Sequence, residues 1–311
     1  MQVKFGETGC TKRKRRAGLT ATTRRTLAVT AIRRCIMCYK TIVVHVDHSP
    51  HAGARIRYAA QLAARCGAHL VGSAFSGISR YAEAGSTMLL TRQHERRGNH
   101  DHDHDTALAR FDAIAAAAGV ASHERRYADD EPAGGLALQG RYADLVIVSQ
   151  TDLDDPAAAH LAGPVPAQVV QGSARPVLVL PHVRRHETIG GRIMLAWDGS
   201  LQATRAVAGA MPLLRDAGLV AIVLFQPFEA TGREPGTDLA LYLARQGVRC
   251  EVHVEPSPID DGAALLACTD CLDADLIVMG AYGRPRLREL VLGGVTETLL
   301  DRMTVPVLMA H

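Results

Sequence analysis

Residues 280–297 read Gly280-Ala281-Tyr282-Gly283-Arg284-Pro285-Arg286-Leu287-Arg288-Glu289-Leu290-Val291-Leu292-Gly293-Gly294-Val295-Thr296-Glu297, four glycines around three arginines ahead of a helical pattern that runs from Val295 to about Met303. Glycines let a backbone approach an anion closely and take positive φ. A Gly-Gly pair directly before a helix presents free N–H groups at the positive end of the helix dipole, which suits a phosphate. The Thr296 hydroxyl can either cap that helix or touch a phosphate oxygen. Elsewhere, Asp198-Gly199-Ser200 offers a carboxylate for a ribose hydroxyl, an adenine edge or a metal ion. These residue types point to nucleotide binding.

The elements that must position them come in two copies. Thr41-Ile42-Val43-Val44-His45-Val46-Asp47 is a β-branched run closed by Asp, and Arg192-Ile193-Met194-Leu195-Ala196-Trp197-Asp198 repeats it 151 positions later. Each is followed by a small-residue turn, an Ala-rich helical pattern (52–66 and 201–216) and another apolar run, His69 to Phe75 and Leu219 to Phe225. Ala143-Asp144-Leu145-Val146-Ile147-Val148-Ser149 matches Ala274-Asp275-Leu276-Ile277-Val278-Met279-Gly280, and Pro176-Val177-Leu178-Val179-Leu180 matches Pro306-Val307-Leu308-Met309-Ala310. The offset falls to about 131 between early and late elements, so the first copy carries about twenty extra residues around 82–119. Strands apolar on both faces, alternating with helices, belong to parallel sheets covered on both sides. The predicted fold is therefore α/β, as two tandem doubly wound parallel-sheet domains of Rossmann-like architecture. Ligands of such sheets sit at the carboxyl ends of the strands. Those ends lie after Asp47, Asp198, Ser149 and Gly280.

The Gly-x2-Gly-x9-Gly spacing, the two Asp-closed first strands, Val291-Leu292-Gly293-Gly294-Val295-Thr296 and the two Pro-Val-Leu strands together resemble the universal stress protein family, across nearly all of 37–311. The resemblance implies an adenine-nucleotide α-hydrolase-like fold, a cytoplasmic location, dimers formed through the last strands, and ATP or AMP as ligand, with Mg²⁺ beside the phosphates. It implies that Gly280, Gly283, Gly293, Gly294 and Thr296 line the phosphates, with Val295 opening the helix behind them. Asp198, followed by Gly199 and Ser200, would lie near base and ribose. One position departs from the family pattern. Gly294 stands where a Ser or Thr usually follows the third signature glycine, which removes one hydroxyl contact worth about 0.5–1.5 kcal/mol.

The domains expected are 37–183 and 190–311, the second nucleotide-binding and the first not. After Ser149 come Gln150-Thr151-Asp152-Leu153-Asp154-Asp155-Pro156, three acids and no glycine pair, which would repel a triphosphate. The first half reads as degenerate for ATP, serving as a pseudo-dimer partner or binding something uncharged. In a tandem chain, strands 176–180 and 306–310 should pair antiparallel, because such apolar edges are sticky when exposed.

Other constellations are weaker. His94, His100, His102 and His104 alternate with acids, but i, i+2 spacing does not place three imidazoles on one helical face, so a solvated loop entering a helix near Thr106 is expected and no metal site is assigned. Cys268-Thr269-Asp270-Cys271 and Cys35-Ile36-Met37-Cys38 have C-x-x-C spacing without the strand-to-helix turn of a redox site, and read as packing cysteines. No G-x-S-x-G, H-E-x-x-H or G-x-x-x-x-G-K-[ST] is present, so no enzyme is expected, slow ATP hydrolysis near Asp198 being left open. The main expectation is a regulatory nucleotide binder of the stress response. The alternatives are a nucleotide-free dimeric interaction protein and an adenylyl-transferring enzyme on a related fold.

The 311 residues suit two domains, and no apolar run is long enough to span a membrane. Seven cysteines spread thinly read as reduced thiols. The net charge of +3 hides an asymmetry: residues 1–36 hold ten Lys/Arg against Glu7, leaving about −6 on the rest. That acidic body argues against a nucleic-acid partner. The basic segment is expected to be disordered. It reads as a nucleic-acid tail, a transit-like presequence or an extension outside the native protein, the reading adopted being a chain that starts at Met37.

Overall fold

The computed structural model describes residues 38–77, 104–152, 164–183, 188–225, 236–255, 262–282 and 294–311. The basic segment 1–36, most of the histidine-rich stretch, and Gly283 and Gly293 of the glycine-rich loop lie outside the described residues.

Both halves carry the same succession. The first contains β1 (Thr41–His45), α1 (Ala52–Cys66), β2 (His69–Phe75), α2 (104–117), β3 (Ser122–Ala128), α3 (Pro132–Gly140), β4 (Leu145–Ser149), α4 (Val165–Gly172) and β5 (Val177–Leu180). The second contains β6 (Arg192–Ala196), α5 (Leu201–Asp216), β7 (Leu219–Phe225), α6 (Thr237–Arg245), β8 (Cys250–Glu255), α7 (Gly262–Cys271), β9 (Leu276–Gly280), α8 (Val295–Arg302) and β10 (Val307–Ala310). The predicted helices 52–66 and 201–216 and the predicted start at Val295 are where the helices stand. The extra length of the first half falls between its second and third strands, 76–121 against 226–249.

All ten strands form one sheet in the order β3-β2-β1-β4-β5-β10-β9-β6-β7-β8. Every pairing is parallel except the central one, where Val307, Leu308 and Met309 face Val179, Leu178 and Val177 antiparallel. The closing strands thus cover each other's apolar edges, as the sequence predicts. The outer strands β3 and β8 hold charged residues (Glu124, Arg125, Arg126; Glu251, Glu255), a composition that discourages further pairing.

Two cores cover the two faces, and each runs through both halves. Ile42, Leu70, Ile147, Leu178, Leu195, Ile222, Val278 and Leu308 point to one face with α1, α2, α5 and α6. Their sequence neighbours Val43, Val71, Val148, Val179, Met194, Val223, Ile277 and Val307 point to the other with α3, α4, α7 and α8. This is the period-2 alternation of a strand with both faces buried. The repeated Ala-Asp-Leu motif ties strand starts together. Asp144 Oδ2 accepts from the N–H groups of Lys40 and Thr41 at 2.7 and 3.0 Å. Asp275 accepts from Gly190, Gly191 and Arg192 at 2.8–3.1 Å. These carboxylates sit at the strand ends opposite the ligand side and are structural. Between the halves, Tyr39 donates to the Gly209 carbonyl at 2.9 Å, and Gly209 lets Pro176 approach α5, since a Cβ there would sit 2.6 Å from the proline ring.

The cysteines depart from expectation. Cys38, just before β1, and Cys66, the last residue of α1, form a disulfide with Cα atoms 5.3 Å apart, because α1 lies back along β1 and returns its C-terminus to the strand's start. Cys268 behaves as predicted: it is buried and free, and burial pushes its thiol up to about 11, so it packs rather than reacts.

Candidate functional site

Strands β6 and β9 are neighbours, and both run out at the same end of the sheet. After β6, Asp198 Oδ1 accepts from the Ser200 N–H at 2.9 Å in an Asx turn, with Gly199 at φ 75° making the left-handed step. Ser200 is the N-cap of α5 and accepts from Ala203 N–H at 3.1 Å. The carboxylate of Asp198 is exposed, and among the described residues it has no cationic partner. Gly280 ends β9 beneath this turn: a Cβ there would fall on the backbone nitrogen of Ala203. Its glycine is therefore required by the close approach of strand and helix, whatever binds outside.

The chain leaves β9 with Ala281 N–H donating to the Ala310 carbonyl at 2.9 Å, and His311 Nδ1 lying 3.1 Å from the Ala281 carbonyl. Tyr282 then takes φ 55°, a left-handed conformation costing about 1–3 kcal/mol for a non-glycine residue. Gly294 is the N-cap of α8 with no side-chain cap, which leaves the first N–H groups of that helix to other acceptors. Thr296 is buried at 4% exposure and does not cap the helix. The structure thus brings Asp198, Gly199, Ser200 and Gly280 together at one end of the sheet, and places Gly294, Val295 and Thr296 on the helix that returns to β10 beside β9.

The first half shows the same frame with different contents. Ser49 N–H donates to Asp47 Oδ1 at 3.1 Å, the turn of Asp198 and Ser200 repeated. Here, however, Arg55 reaches up from α1. Its side chain is 2% exposed, its Nη2 pairs with Asp47 Oδ1 at 2.8 Å, its Nε donates to the His45 carbonyl at 2.8 Å, and its Nη1 donates to Ser149 Oγ at 2.8 Å. Burial alone would raise the Asp47 carboxyl, but Arg55, His45 and the Ser49 hydroxyl outweigh it and hold it below the usual carboxylate range. Burial pushes the His45 ring down to about 4, against the pull of Asp47 and with the help of Arg55, so the ring is neutral. The buried faces of α1 and α5 superpose at the same offset of 151 as their strands, which puts Ala206 where Arg55 stands. Ser149, which receives Arg55, stands where the second half has Gly280.

Sequence reasoning missed Arg55, because an Arg in an Ala-rich helix reads as a solvated face. It also missed His51, Asp152 and His182, which stand at the ends of three different strands and are gathered only by the fold. Of the histidine-rich stretch, His104 is described; its ring lies 5.7 Å from that of His48 and 5.2 Å from Tyr127.

The sequence pattern of the Universal stress protein family matches residues 38–181 and again 191–311. The chain belongs to this family, as a tandem of two such units. A universal stress protein of Synechocystis is 25% identical over 179 residues, 55% of this chain and 58% of its own length, so the match spans less than two thirds of that relative. A universal stress protein of Archaeoglobus fulgidus has a similar structure with TM-score 0.69 at 17% identity, covering 87% of this chain and 95% of its own. A second solved structure, from Pseudomonas aeruginosa, gives TM-score 0.53 at 18% identity over 87% and 92% of the two chains. These two likenesses establish the tandem α/β fold.

Proposed function

We propose that this tandem universal stress protein binds one adenine nucleotide, ATP or AMP, at the strand ends of its second half, and serves as a cytoplasmic regulator in a stress response. Asp198 would engage base or ribose. Gly280, Gly283, Gly293, Gly294 and Thr296 would surround the phosphates, with Mg²⁺ accompanying a triphosphate. The observation that carries the reading is the contrast of Arg55 with Ala206: Asp47 is paired with a buried guanidinium in one half, whereas Asp198 keeps an exposed carboxylate in the other. The first half then acts as the fixed partner of an intramolecular pseudo-dimer closed by β5 and β10.

Calorimetric titration of Mg²⁺–ATP and AMP into nucleotide-free protein, followed also by the fluorescence of Trp197 next to Asp198, tests this. One saturable site per chain is expected. Gly283→Val should weaken binding at least tenfold while the protein stays folded. Gly280→Ala is unsuitable, because its Cβ collides with α5 in the unliganded fold. Two sites per chain would overturn the reading of the first half. No heat and no change at Trp197 at millimolar nucleotide would establish a nucleotide-free interaction protein instead.

A further inference from the structure

The half whose cleft is filled by Arg55 carries a second cluster just outside it. His51 precedes α1, Asp152 follows β4 and His182 follows β5, so three neighbouring parallel strands each send one residue to the same place. One ligand atom from each lies within 4.8 Å of the other two. His51 Nε2 and Asp152 Oδ2 are 2.9 Å apart, and the rings of His51 and His182 face each other at 4.1 Å between centroids, tilted by 33°. Both ring nitrogens of His182 are out of solvent with no hydrogen-bond partner. An imidazole offers a donor and an acceptor, and leaving both unmet in the interior is costly unless something else takes the lone pair. Its backbone N–H is held by Gln150 Oε1 at 3.3 Å, which fixes where the ring stands.

We propose that the first half binds a divalent transition-metal ion, zinc by its donor set, through His51, Asp152 and His182. Two imidazoles and one carboxylate suit zinc, whereas Mg²⁺ and Ca²⁺ prefer all-oxygen sites. In a tetrahedral zinc site neighbouring ligand atoms stand about 3.3 Å apart, so the three groups need only small side-chain rotations to close on an ion. The side chains of His51 and Asp152 are 26% and 25% exposed, which leaves a path for the ion and room for a water as fourth ligand. The Asp152 carboxylate offsets the unfavourable positive end of α1 beside His51. Counting from the equivalent strands β4 and β9, Asp152 occupies the position of Gly283. The position of a signature glycine in the second half is thus a carboxylate in the first, where it completes the cation site. Bound there, the ion clips the β1–α1 turn, the β4 loop and the exit of β5 to one another. It needs no nucleotide and does not depend on the second half's ligand.

The test is a calorimetric titration of Zn²⁺ into the metal-stripped full chain, prepared without a polyhistidine tag, with visible absorption of the Co²⁺ form as an independent readout of geometry. About one Zn²⁺ per chain is expected, with Mg²⁺ unable to displace it. His182→Ala and Asp152→Asn should each weaken binding by at least about 100-fold, more than loss of a merely supporting contact costs. The isosteric Asp152→Asn decides the matter if His182→Ala fails to fold. Replacing His94, His100 and His102 together by Gln should leave the affinity unchanged. Full affinity in Asp152→Asn, loss of binding in the triple Gln variant, or no saturable binding by the native chain would each overturn the proposal.

Discussion

Asp47 and Asp198 close equivalent strands with the same Asx turn, yet one is a structural carboxylate and the other an open one. The difference lies one helical turn away, in Arg55 against Ala206. A buried guanidinium needs its counter-charge and several acceptors, so Asp47, Ser149 and the His45 carbonyl are all committed to it. The corresponding place in the second half holds a methyl group, and its carboxylate remains exposed. A duplicated fold can thus keep its frame while the same strand-end carboxylate is buried in an ion pair in one half and exposed in the other.

The largest expected effect breaks the filled site. Asp47→Ala leaves Arg55 buried without its partner and should destabilise the protein by about 3 kcal/mol at neutral pH, the low end for a broken buried pair because Asp47 is 31% exposed. Because the folded carboxyl titrates below its unfolded value, this stabilisation is present above about pH 4 and lost as pH falls further. Urea midpoints of native and variant protein should converge in acid. Equal midpoints at pH 7 would mean that the pair contributes nothing.

The next effect is a pH window at His45. Its folded value of about 4 lies below the unfolded 6.5, so its contribution is complete above pH 6.5 and is lost as pH falls to 4, when only the unfolded chain takes the proton. The native protein should lose about 3 kcal/mol over that interval relative to His45→Leu. Parallel stability profiles of the two would contradict a neutral buried ring. Smaller again is the open site's own scaffold: Ser200→Ala removes the α5 cap and should cost about 1 kcal/mol, read as a lowered Tm. The smallest effect sharpens the contrast. Asp198→Ala should change stability by less than about 0.5 kcal/mol, while weakening nucleotide binding in the titration described above. A large loss of stability there would make the two carboxylates alike after all.

Much of this was legible from residues alone. The two Asp-closed β-branched runs, the paired Ala-Asp-Leu and Pro-Val-Leu segments and the 151-residue offset specify strands, helices and their duplication, because apolar periodicity is a local property of the chain. The antiparallel meeting of 176–180 with 306–310 also follows, from the need to cover two apolar edges. Composition singled out the glycine-rich loop and position at a strand end singled out Asp198; of these candidates the described residues place Asp198 and Gly280 on neighbouring strands β6 and β9.

Only the tertiary structure decided which residues share a strand-end site. Arg55 reads as one more exposed helix cation until β1, α1 and β4 are packed together, when its guanidinium is found paired with Asp47 and bonded to Ser149. For Gly280, only α5 laid over the end of β9 shows that no Cβ fits there. His51, Asp152 and His182 belong to no motif, since more than a hundred positions separate the first from the last. The strand order β1-β4-β5 brings them together. Side-chain type and spacing encode local conformation, whereas charge pairing, exclusion and convergence depend on long-range strand pairing that no local stretch of sequence contains.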